Sequence, residues 1–428
     1  MITSTYDIVI SGGGAVGLTL AMALSQGDSP PRILILDSTR PPNNPVPNKG
    51  QVSNHEKSSA QLASAFDGRR FALSLSSIHF LQTLGLWQAL QPYTVAIEEI
   101  LVWQSARLGR THISAQEEGL AALGAAVTFQ DLGRVLSRAV ARLSNETSHV
   151  TWYQGAKLKS PFQRTETGWQ LEIETLSGGK SEVCQTGLLV VAEGVDSETR
   201  SALGVNTQVY DYQQMACVLP CQMSAGTKVK TAYECFTPSG SLAVLPGQDE
   251  TRWLVWALPN EEAKRGAADP KALLKKTQKA LGRRLRVKAC LGEPALYPLR
   301  QVIADEQVRP HLLLLGNAAH SLHPIAGQGF NLAVRDIALL YQMQQTHGVA
   351  GFTSYDVLKQ YAAQRAQDQQ RIQQFCHGLV NGFRFGGSGA SVLRSLGLMG
   401  FDAMPGAKQY LAQEWIAPTP RWQEDSGC

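Results

Sequence analysis

Two short, almost wholly apolar runs frame a helical segment near the start of the chain. Residues 6–10 and 32–37 are rich in Val, Ile and Leu and predict buried strands, and Leu18 to Ser25 predicts the helix between them. Because buried strands joined by a helix are typical of a βαβ unit, we expect a parallel sheet here.

Helical and strand-like periodicity continues through the rest of the chain. Further helices are predicted at about 71–90, 131–144, 270–286 and 328–345, and over most of 352–415. Further strands are predicted at 98–114, within 150–192, and at 215–223, 231–245, 252–258 and 311–316. Residues 39–60 are rich in Pro, Asn, Ser and Lys and nearly lack apolar side chains, which predicts a surface loop.

A glycine turn, residues 12–17, stands between the first strand and the first helix. Glycines at this spacing allow a tight turn, close approach of a pyrophosphate and close packing of the helix on the sheet. The helix N-terminus adds unpaired N–H groups and a partial positive charge. The residues expected to bind the ligand are Gly12, Gly14, Ala15, Val16 and Gly17. Asp37, at the end of the second strand, is placed to accept hydrogen bonds from adenosine ribose hydroxyls.

A second glycine loop, residues 316–331, lies between the apolar run 311–316 and the helix predicted from Gln328. The start of that helix supplies another set of free N–H groups, about three hundred residues after the first. FAD is long enough to need both helix termini. One would hold the pyrophosphate, and the other would face the flavin ring and stabilise negative charge on it.

Composition narrows the class of protein. The chain has 428 residues, 43% of them hydrophobic, and a net charge of +4, which by itself implies no nucleic-acid partner. Its cysteines are scattered without a Cys-x-x-Cys pair, so we expect reduced thiols and no metal site. The start of the chain lacks the features of a secretory signal and no apolar stretch is long enough to span a bilayer, so we expect a cytoplasmic protein.

Three motifs together resemble those of the aromatic-hydroxylase group of flavin monooxygenases. They are the glycine turn, the Glu193-Gly194 pair after a buried strand, and the stretch His323-Pro-Ile-Ala-Gly-Gln-Gly-Phe-Asn331 followed by Arg335-Asp336. The chain is most similar to ubiquinone-biosynthesis hydroxylases of the UbiH type, to which it also matches at Phe66–Arg69, Leu84–Trp87, Phe236–Pro246 and Leu254–Trp256. The resemblance covers nearly the whole chain except the loop at 39–60.

The resemblance implies the α/β fold class. It consists of an FAD-binding Rossmann-like domain, an inserted substrate domain with a mixed or antiparallel β-sheet, and a helical C-terminal region. We expect a discontinuous FAD-binding domain over residues 1–96, 115–205 and 300–345. The substrate domain is expected at 97–114 and 206–299, and the helical region at 346–428.

The resemblance also implies a monooxygenase that hydroxylates the aromatic ring of a polyprenylated phenol in ubiquinone biosynthesis. It would use FAD, with NAD(P)H as a transient reductant and O2 as co-substrate, through a flavin C4a-hydroperoxide. Two alternatives stay open. One is a flavin hydroxylase of another aromatic substrate, and the other is a non-catalytic FAD-bound scaffold of the biosynthetic complex.

Site residues can be carried over from the family by motif. Around the ribityl chain and flavin ring the resemblance implies Gly316, Asn317, Pro324, Gly327, Gln328, Gly329 and Asn331. Arg69 and Arg134 are expected near the flavin, and Glu193 with Gly194 would touch both FAD and the passing NAD(P)H. The chain departs from the common pattern at three of these positions, because Glu193 and Asn317 stand where relatives often have Asp, and Arg134 where Gln is common.

His323 and Pro324 are the candidate catalytic residues of this loop. A lone histidine in a tight loop is more often a structural hydrogen bonder than a base, so we expect His323 to shape the flavin pocket. Aromatic residues of the inserted sheet are candidates for lining an apolar substrate pocket, namely Trp103, Tyr233, Phe236, Trp253, Trp256 and Tyr297.

Two stretches are candidates for contact with the inner membrane or with other ubiquinone-biosynthesis enzymes. Lys264–Lys288 is strongly basic, with Leu273, Leu274, Leu281 and Leu285 on a common face, as in helices that bind anionic lipid. A solvated helix face is the alternative. The second stretch is the apolar, glycine-interrupted run from Phe375 to Phe401.

Overall fold

The computed structural model describes residues 5–39, 67–106, 109–176, 178, 181–224, 226–248 and 250–384. The surface loop predicted at 39–60 lies outside the described residues except for Thr39, as does the chain after residue 384.

The described strands are β1 Thr5–Ser11, β2 Ile33–Asp37, β3 Arg70–Ser74, β4 Val95–Ile97, β5 Glu99–Gln104, β6 Arg110–Ser114, β7 Gly124–Thr128, β8 Val150–Gln154, β9 Ala156–Thr165, β10 Gly168–Thr175, β11 Glu182–Val191, β12 Thr207–Met223, β13 Thr231–Thr237, β14 Gly240–Pro246, β15 Thr251–Pro259, β16 Val287–Cys290, β17 Ala295–Ala304, β18 Val308–Arg309, β19 Leu312–Leu314 and β20 His320–Ser321. The described α-helices are α1 Ala15–Leu24, α2 Leu75–Thr83, α3 Trp87–Leu90, α4 Phe129–Glu146, α5 Glu198–Ala202, α6 Asn260–Ala268, α7 Pro270–Leu281, α8 Gln328–Phe352 and α9 Tyr355–Arg384.

The first sheet has the strand order β18-β19-β11-β1-β2-β8, with β10 and β9 paired beyond β11. Its central pairs, β11 with β1, β1 with β2 and β2 with β8, are parallel, as the apolar runs predict. Every residue of β2 is buried, and α1 is buried along all of its length except Val16. The helix lies against this sheet together with α4 and α8, in one apolar core.

The second sheet has the order β20-β17-β12-β15-β14-β13-β5-β6, with β16 paired to β12. It is antiparallel except for the parallel pair β13 and β5. Its strands come from residues 99–114, 207–304 and 320–321. The overall class is therefore the predicted one, an α/β fold with a Rossmann-like sheet, a second mixed sheet and helices at the C-terminal end of the described chain. The domain boundaries stay a prediction.

The helix predicted over 71–90 is wrong at its start. Residues 70–74 form β3, which pairs with β7 in a small antiparallel sheet completed by β4, and the helical turns begin only at Leu75. Phe71 and Leu73 pack in the core of the first sheet and Ala72 packs against the core of the second, as alternate residues of a strand do, and the partner strand β7 lies at least fifty residues later.

The leucine face of the basic segment is part of the protein core. Leu273, Leu281 and Leu285 are at most 4% exposed and pack with Trp103, Cys235 and other residues on the outer face of the second sheet. The exposed side of α7 carries Lys271, Lys275 and Lys279 at helical spacing. Three of the four leucines predicted for lipid contact are therefore buried against the sheet, Leu274 is half-buried, and the basic face remains exposed.

None of the described helices is long and apolar enough to cross a bilayer.

Candidate FAD site

The glycine turn brings three predicted features of the site together. A Cβ on Gly12 would lie 2.5 Å from the carbonyl oxygen of Ala192, at the end of β11, and a Cβ on Gly13 would overlap the carboxylate of Asp37. Gly17 lies so close to the carbonyl of Gly12 that any side chain there would overlap it. The turn is thus packed between β1, β11 and the end of β2, with Asp37 beside it.

The second glycine loop meets the glycine turn directly. Gly316 has φ +61°, and a Cβ added there would lie 2.9 Å from Cγ2 of Val16. The two segments, about three hundred residues apart in sequence, therefore form one continuous surface. Of the other predicted residues, Asn317 and Pro324 are exposed, Gly329 is half-buried and Gln328 is 1% exposed.

Helices α1 and α8, which follow the two glycine segments, have open N-termini. Their N-cap residues, Gly14 and Gly327, offer no side chain, and neither first turn contains an acid. Four other described helices are capped by a side-chain oxygen, namely α2 by Ser74, α4 by Thr128, α5 by Ser197 and α7 by Asp269, whereas α3 and α6 have no such cap. The first-turn N–H groups of α1 and α8 are thus left for a ligand, and the positive end of each helix dipole suits an anion.

Asn331 fixes the second glycine loop to β3. Its amide oxygen accepts hydrogen bonds from the backbone N–H of Ser74 at 2.9 Å and from Ser77 Oγ at 2.8 Å. Its amide nitrogen donates to the carbonyl oxygens of Ala72 and Gly327, both at 2.9 Å. All four of these interactions are internal, so the Asn331 side chain holds the second glycine loop in place.

Glu193 is also engaged within the protein. Its carboxylate accepts hydrogen bonds from Ser197 Oγ at 2.6 Å and the Thr199 N–H at 3.0 Å, and from the hydroxyls of Ser11 and Thr199. The carboxylate therefore joins β1 to the start of α5. Gly194, at φ +93°, carries the chain past the glycine turn.

Arg69 and Arg134 occupy different surroundings. Arg69 lies over the ring of Tyr297 at 4.2 Å and near Phe129, which itself contacts Phe330 in the first turn of α8. Arg134, on α4, pairs with Asp131 at 3.0 Å and lies over Tyr93 at 5.3 Å. Among the described residues no hydrogen bond or ion pair joins Arg134 to either glycine segment.

His323 is buried in the second glycine loop at 2% exposure, and burial lowers its pKa to about 3. Its Nδ1 accepts a hydrogen bond from the Ile325 N–H at 3.2 Å, and its ring lies edge-on to Tyr212 at 5.0 Å. The ring is therefore neutral and packed, and its structural role stays a prediction.

A buried acid, Asp336, stabilises this region through partners that the sequence does not predict. It is fully buried and accepts hydrogen bonds from His320 Nε2 at 2.8 Å, Arg365 Nε at 2.6 Å and Gln369 Nε2 at 3.0 Å. Burial raises its pKa, but the hydrogen bonds and charges of His320 and Arg365 outweigh that effect, so the pKa is lowered overall. The acid thereby ties β20, α8 and α9 together. The Arg335-Asp336 pair after the loop was the one signal in the sequence.

These features fit FAD. The open start of α1 suits its pyrophosphate, Asp37 lies where a ribose would follow, and the open start of α8 lies at the other end of the same surface.

Comparisons with known proteins agree with this site. The family model described as "FAD binding domain" matches residues 63–376, well over half of the chain. The 3-demethoxyubiquinol 3-hydroxylase of Escherichia coli is 29% identical over 408 residues, covering 93% of this chain and 95% of that protein. The ubiquinone hydroxylase UbiL of Rhodospirillum rubrum is 27% identical, covering 93% and 86%.

Solved structures share the fold. The p-nitrophenol 4-monooxygenase PnpA of Pseudomonas putida superposes with a TM-score of 0.74 at 15% identity, covering 98% of this chain and 100% of that one. PqsL of Pseudomonas aeruginosa has a TM-score of 0.71 at 19% identity, covering 93% and 100%. The resemblance inferred from the motifs is thus confirmed: the chain belongs to the FAD binding domain family, its cofactor is FAD, and it is an aromatic hydroxylase of the flavin-dependent class.

Proposed function

We propose that this protein hydroxylates the ring of a polyprenylated phenol in ubiquinone biosynthesis, using NAD(P)H and O2. The observation that carries the proposal is the end-to-end match to the 3-demethoxyubiquinol 3-hydroxylase of Escherichia coli, which leaves no large segment of either chain unmatched. The joined surface of the two glycine segments supports it, because it offers FAD both of the helix termini that it needs.

The residues of the glycine turn would bind the ADP half of FAD. The N–H groups at the start of α1 would donate to the pyrophosphate, and Asp37 would accept hydrogen bonds from the ribose. Gly316, Asn317, Gly327, Gln328 and Gly329 would surround the ribityl chain and the ring. Bound FAD supplies hydride acceptance from NAD(P)H and activation of O2.

The protein's own contribution is placement and electrostatics. The open N-terminus of α8 would stabilise negative charge on the reduced flavin, and Asn331 and Asp336 hold that helix in position. We assign Glu193 and Arg134 an indirect role, because their charged groups are paired within the protein.

The exposed lysines of α7 would bring the enzyme to anionic lipid, where a polyprenyl substrate is found. Lys271, Lys275 and Lys279 face solvent on one side of the helix. Replacing all three by Gln should abolish co-sedimentation with liposomes that contain anionic lipid, without changing FAD content. Wild-type protein that ignores such liposomes at low salt would contradict this part of the proposal.

Two experiments test the proposed reaction. In a strain that lacks the gene, a phenolic quinone precursor should accumulate, and the wild-type gene should restore the quinone. The purified FAD-loaded protein should consume NAD(P)H faster when that precursor is added and should return it hydroxylated. Accumulation of an unrelated aromatic compound would point to another substrate. A quinone defect without any substrate-stimulated NAD(P)H consumption would point to a scaffold.

A further inference from the structure

The second sheet has a recess on the face that meets the second glycine loop. Mostly small side chains at alternate positions of β12, β14 and β15 form its floor, and residues 323–325 close it; the floor residues are Ala216, Ser241, Ala243, Val255 and Ala257. Large side chains normally cover such a sheet face, so this group of small ones leaves space. The volume is about 20 Å³, which admits one oxygen-sized group and no ring.

Two buried polar side chains face this recess. Glu234, on β13, is 4% exposed, and its Oε1 has no hydrogen-bond partner among the described residues. His323 is 2% exposed, and the same holds for its Nε2. Each buried polar atom left unpaired costs about 1–3 kcal/mol, so two that face one recess favour a polar group bound between them, either a water molecule or a polar group of a ligand that displaces it.

The hydrogen-bonding character of the pair specifies that group. Because His323 Nδ1 accepts a hydrogen bond from Ile325, the proton of the neutral ring is on Nε2, which is therefore a donor. Glu234 Oε1 is an acceptor when the carboxyl is ionised. A group that satisfies both must donate and accept through one atom, as a hydroxyl does.

The surroundings keep His323 neutral and let Glu234 ionise only near neutral pH. No salt bridge reaches Glu234 among the described residues. Burial raises its pKa to about 7, and a hydrogen bond with Ser241 lowers the pKa by a smaller amount. The titratable side chains nearest to this pair are Tyr212, which contacts His323, Cys376 and His377 at the end of α9, and Cys235, which follows Glu234 on β13. None of these is a lysine or an arginine, so Glu234 has no fixed cationic partner there.

We propose that this recess binds the hydroxyl group of the aromatic substrate. The hydroxyl donates its hydrogen bond to Glu234 Oε1 and accepts one from His323 Nε2–H. The ring then lies at the mouth, beside the exposed Pro324 of the second glycine loop. A hydrogen bond from a phenol to a carboxylate raises the electron density of the ring, which favours attack by the ring on an electrophilic oxygen. This assignment rests on the proposed function and identifies the substrate class by its free hydroxyl.

The test compares the binding of 2-prenylphenol with that of its methyl ether, 2-prenylanisole, to the FAD-loaded protein by calorimetry. Wild-type protein should bind the phenol about 10- to 100-fold more tightly, the range expected for a hydrogen bond to a charged group. Glu234→Leu, which keeps the volume, should lower this ratio at least 10-fold. Cys235→Ala is the matched control, because Cys235 is the next residue on β13 and faces the opposite side of the sheet, and it should leave the ratio unchanged.

A second measurement covers the case in which Glu234→Leu does not fold. The affinity of wild-type protein for the phenol should change with pH near 7, and the affinity of Glu234→Gln should not. An unchanged phenol-to-ether ratio in Glu234→Leu, a pH dependence that persists in Glu234→Gln, or equal binding of the two ligands by wild-type protein would overturn the proposal. Discrimination in binding without hydroxylation of any polyprenyl phenol would instead contradict the proposed function alone.

Discussion

Replacing Gly12 by alanine should weaken FAD binding, because the backbone of Gly12 occupies a place that no side chain can share. The residue has φ +120°, and an added Cβ would lie 2.5 Å from the Ala192 oxygen, whereas ordinary contacts begin at 3.4 Å. The glycine turn would have to move by about 0.9 Å away from β11. The backbone conformation adds about 1–3 kcal/mol of strain.

The size of the effect follows from the hydrogen bonds that such a movement disturbs. A displacement near 1 Å takes the N–H groups at the start of α1 out of the normal range for donating to a phosphate oxygen. Each charge-assisted hydrogen bond contributes about 1.5–3 kcal/mol, so losing one should raise the Kd for FAD about 10- to 100-fold.

Titration of the apoprotein with FAD, followed by flavin fluorescence, measures this Kd. Gly378→Ala is the control, because Gly378 lies in α9 with no atom within 4 Å of an added Cβ. That variant should bind FAD as the wild type does and gain up to about 1 kcal/mol of stability from helix propensity. If Gly12→Ala binds FAD with wild-type affinity, the glycine turn does not hold the pyrophosphate.

Three further predictions concern the second glycine loop. Asp336→Ala should lower the free energy of unfolding, measured in urea, by about 3–5 kcal/mol, because it removes a buried ion-pair partner of Arg365. A loss under about 1 kcal/mol would refute the role given to Asp336. Asn331→Leu should cost about 1–3 kcal/mol for each buried partner left unpaired and should release FAD more readily in dialysis, whereas an unchanged melting temperature would contradict it. Burial lowers the folded-state pKa of His323 to about 3, so the neutral ring should stabilise the fold fully above pH 6.5 and progressively less as the pH falls from 6.5 toward 3. In His323→Gln this part of the acid-induced loss of unfolding free energy should be absent. The wild type should therefore lose about 2 kcal/mol more than the variant between pH 7 and pH 5.

The glycine segments could be located from the sequence because their signals are local. An apolar run, glycines at fixed spacing and a helical pattern lie within about twenty residues, and the physical reasons for each glycine act over the same distance. The contact between Val16 and Gly316 follows from the parallel sheet, which brings the ends of β1 and β19 to one edge.

The sequence alone does not predict which distant segments of the chain contact each other. The pattern over residues 71–74 predicts helix because the partner strand β7 is remote in sequence, and the residues around Asp336 do not show that it meets Arg365 and Gln369. Leu273 and Leu281 have the spacing of an amphipathic helix, but spacing alone does not tell whether that face meets lipid or a sheet. The sequence does not single out Glu234, because an acid in a strand is energetically costly only if it is buried, and its burial is known only from the structure.

The most direct test of the central claim is the origin of the oxygen atom in the product. The purified, FAD-loaded protein is given NADPH, a polyprenyl phenol that accumulates in the deletion strain and oxygen-18 gas, and the product is analysed by mass spectrometry. We expect one labelled oxygen atom in the product, as a new hydroxyl group on the aromatic ring, with an equal amount of NADPH consumed. Product without label, or NADPH consumption that yields only hydrogen peroxide with every phenol tested, would contradict the account.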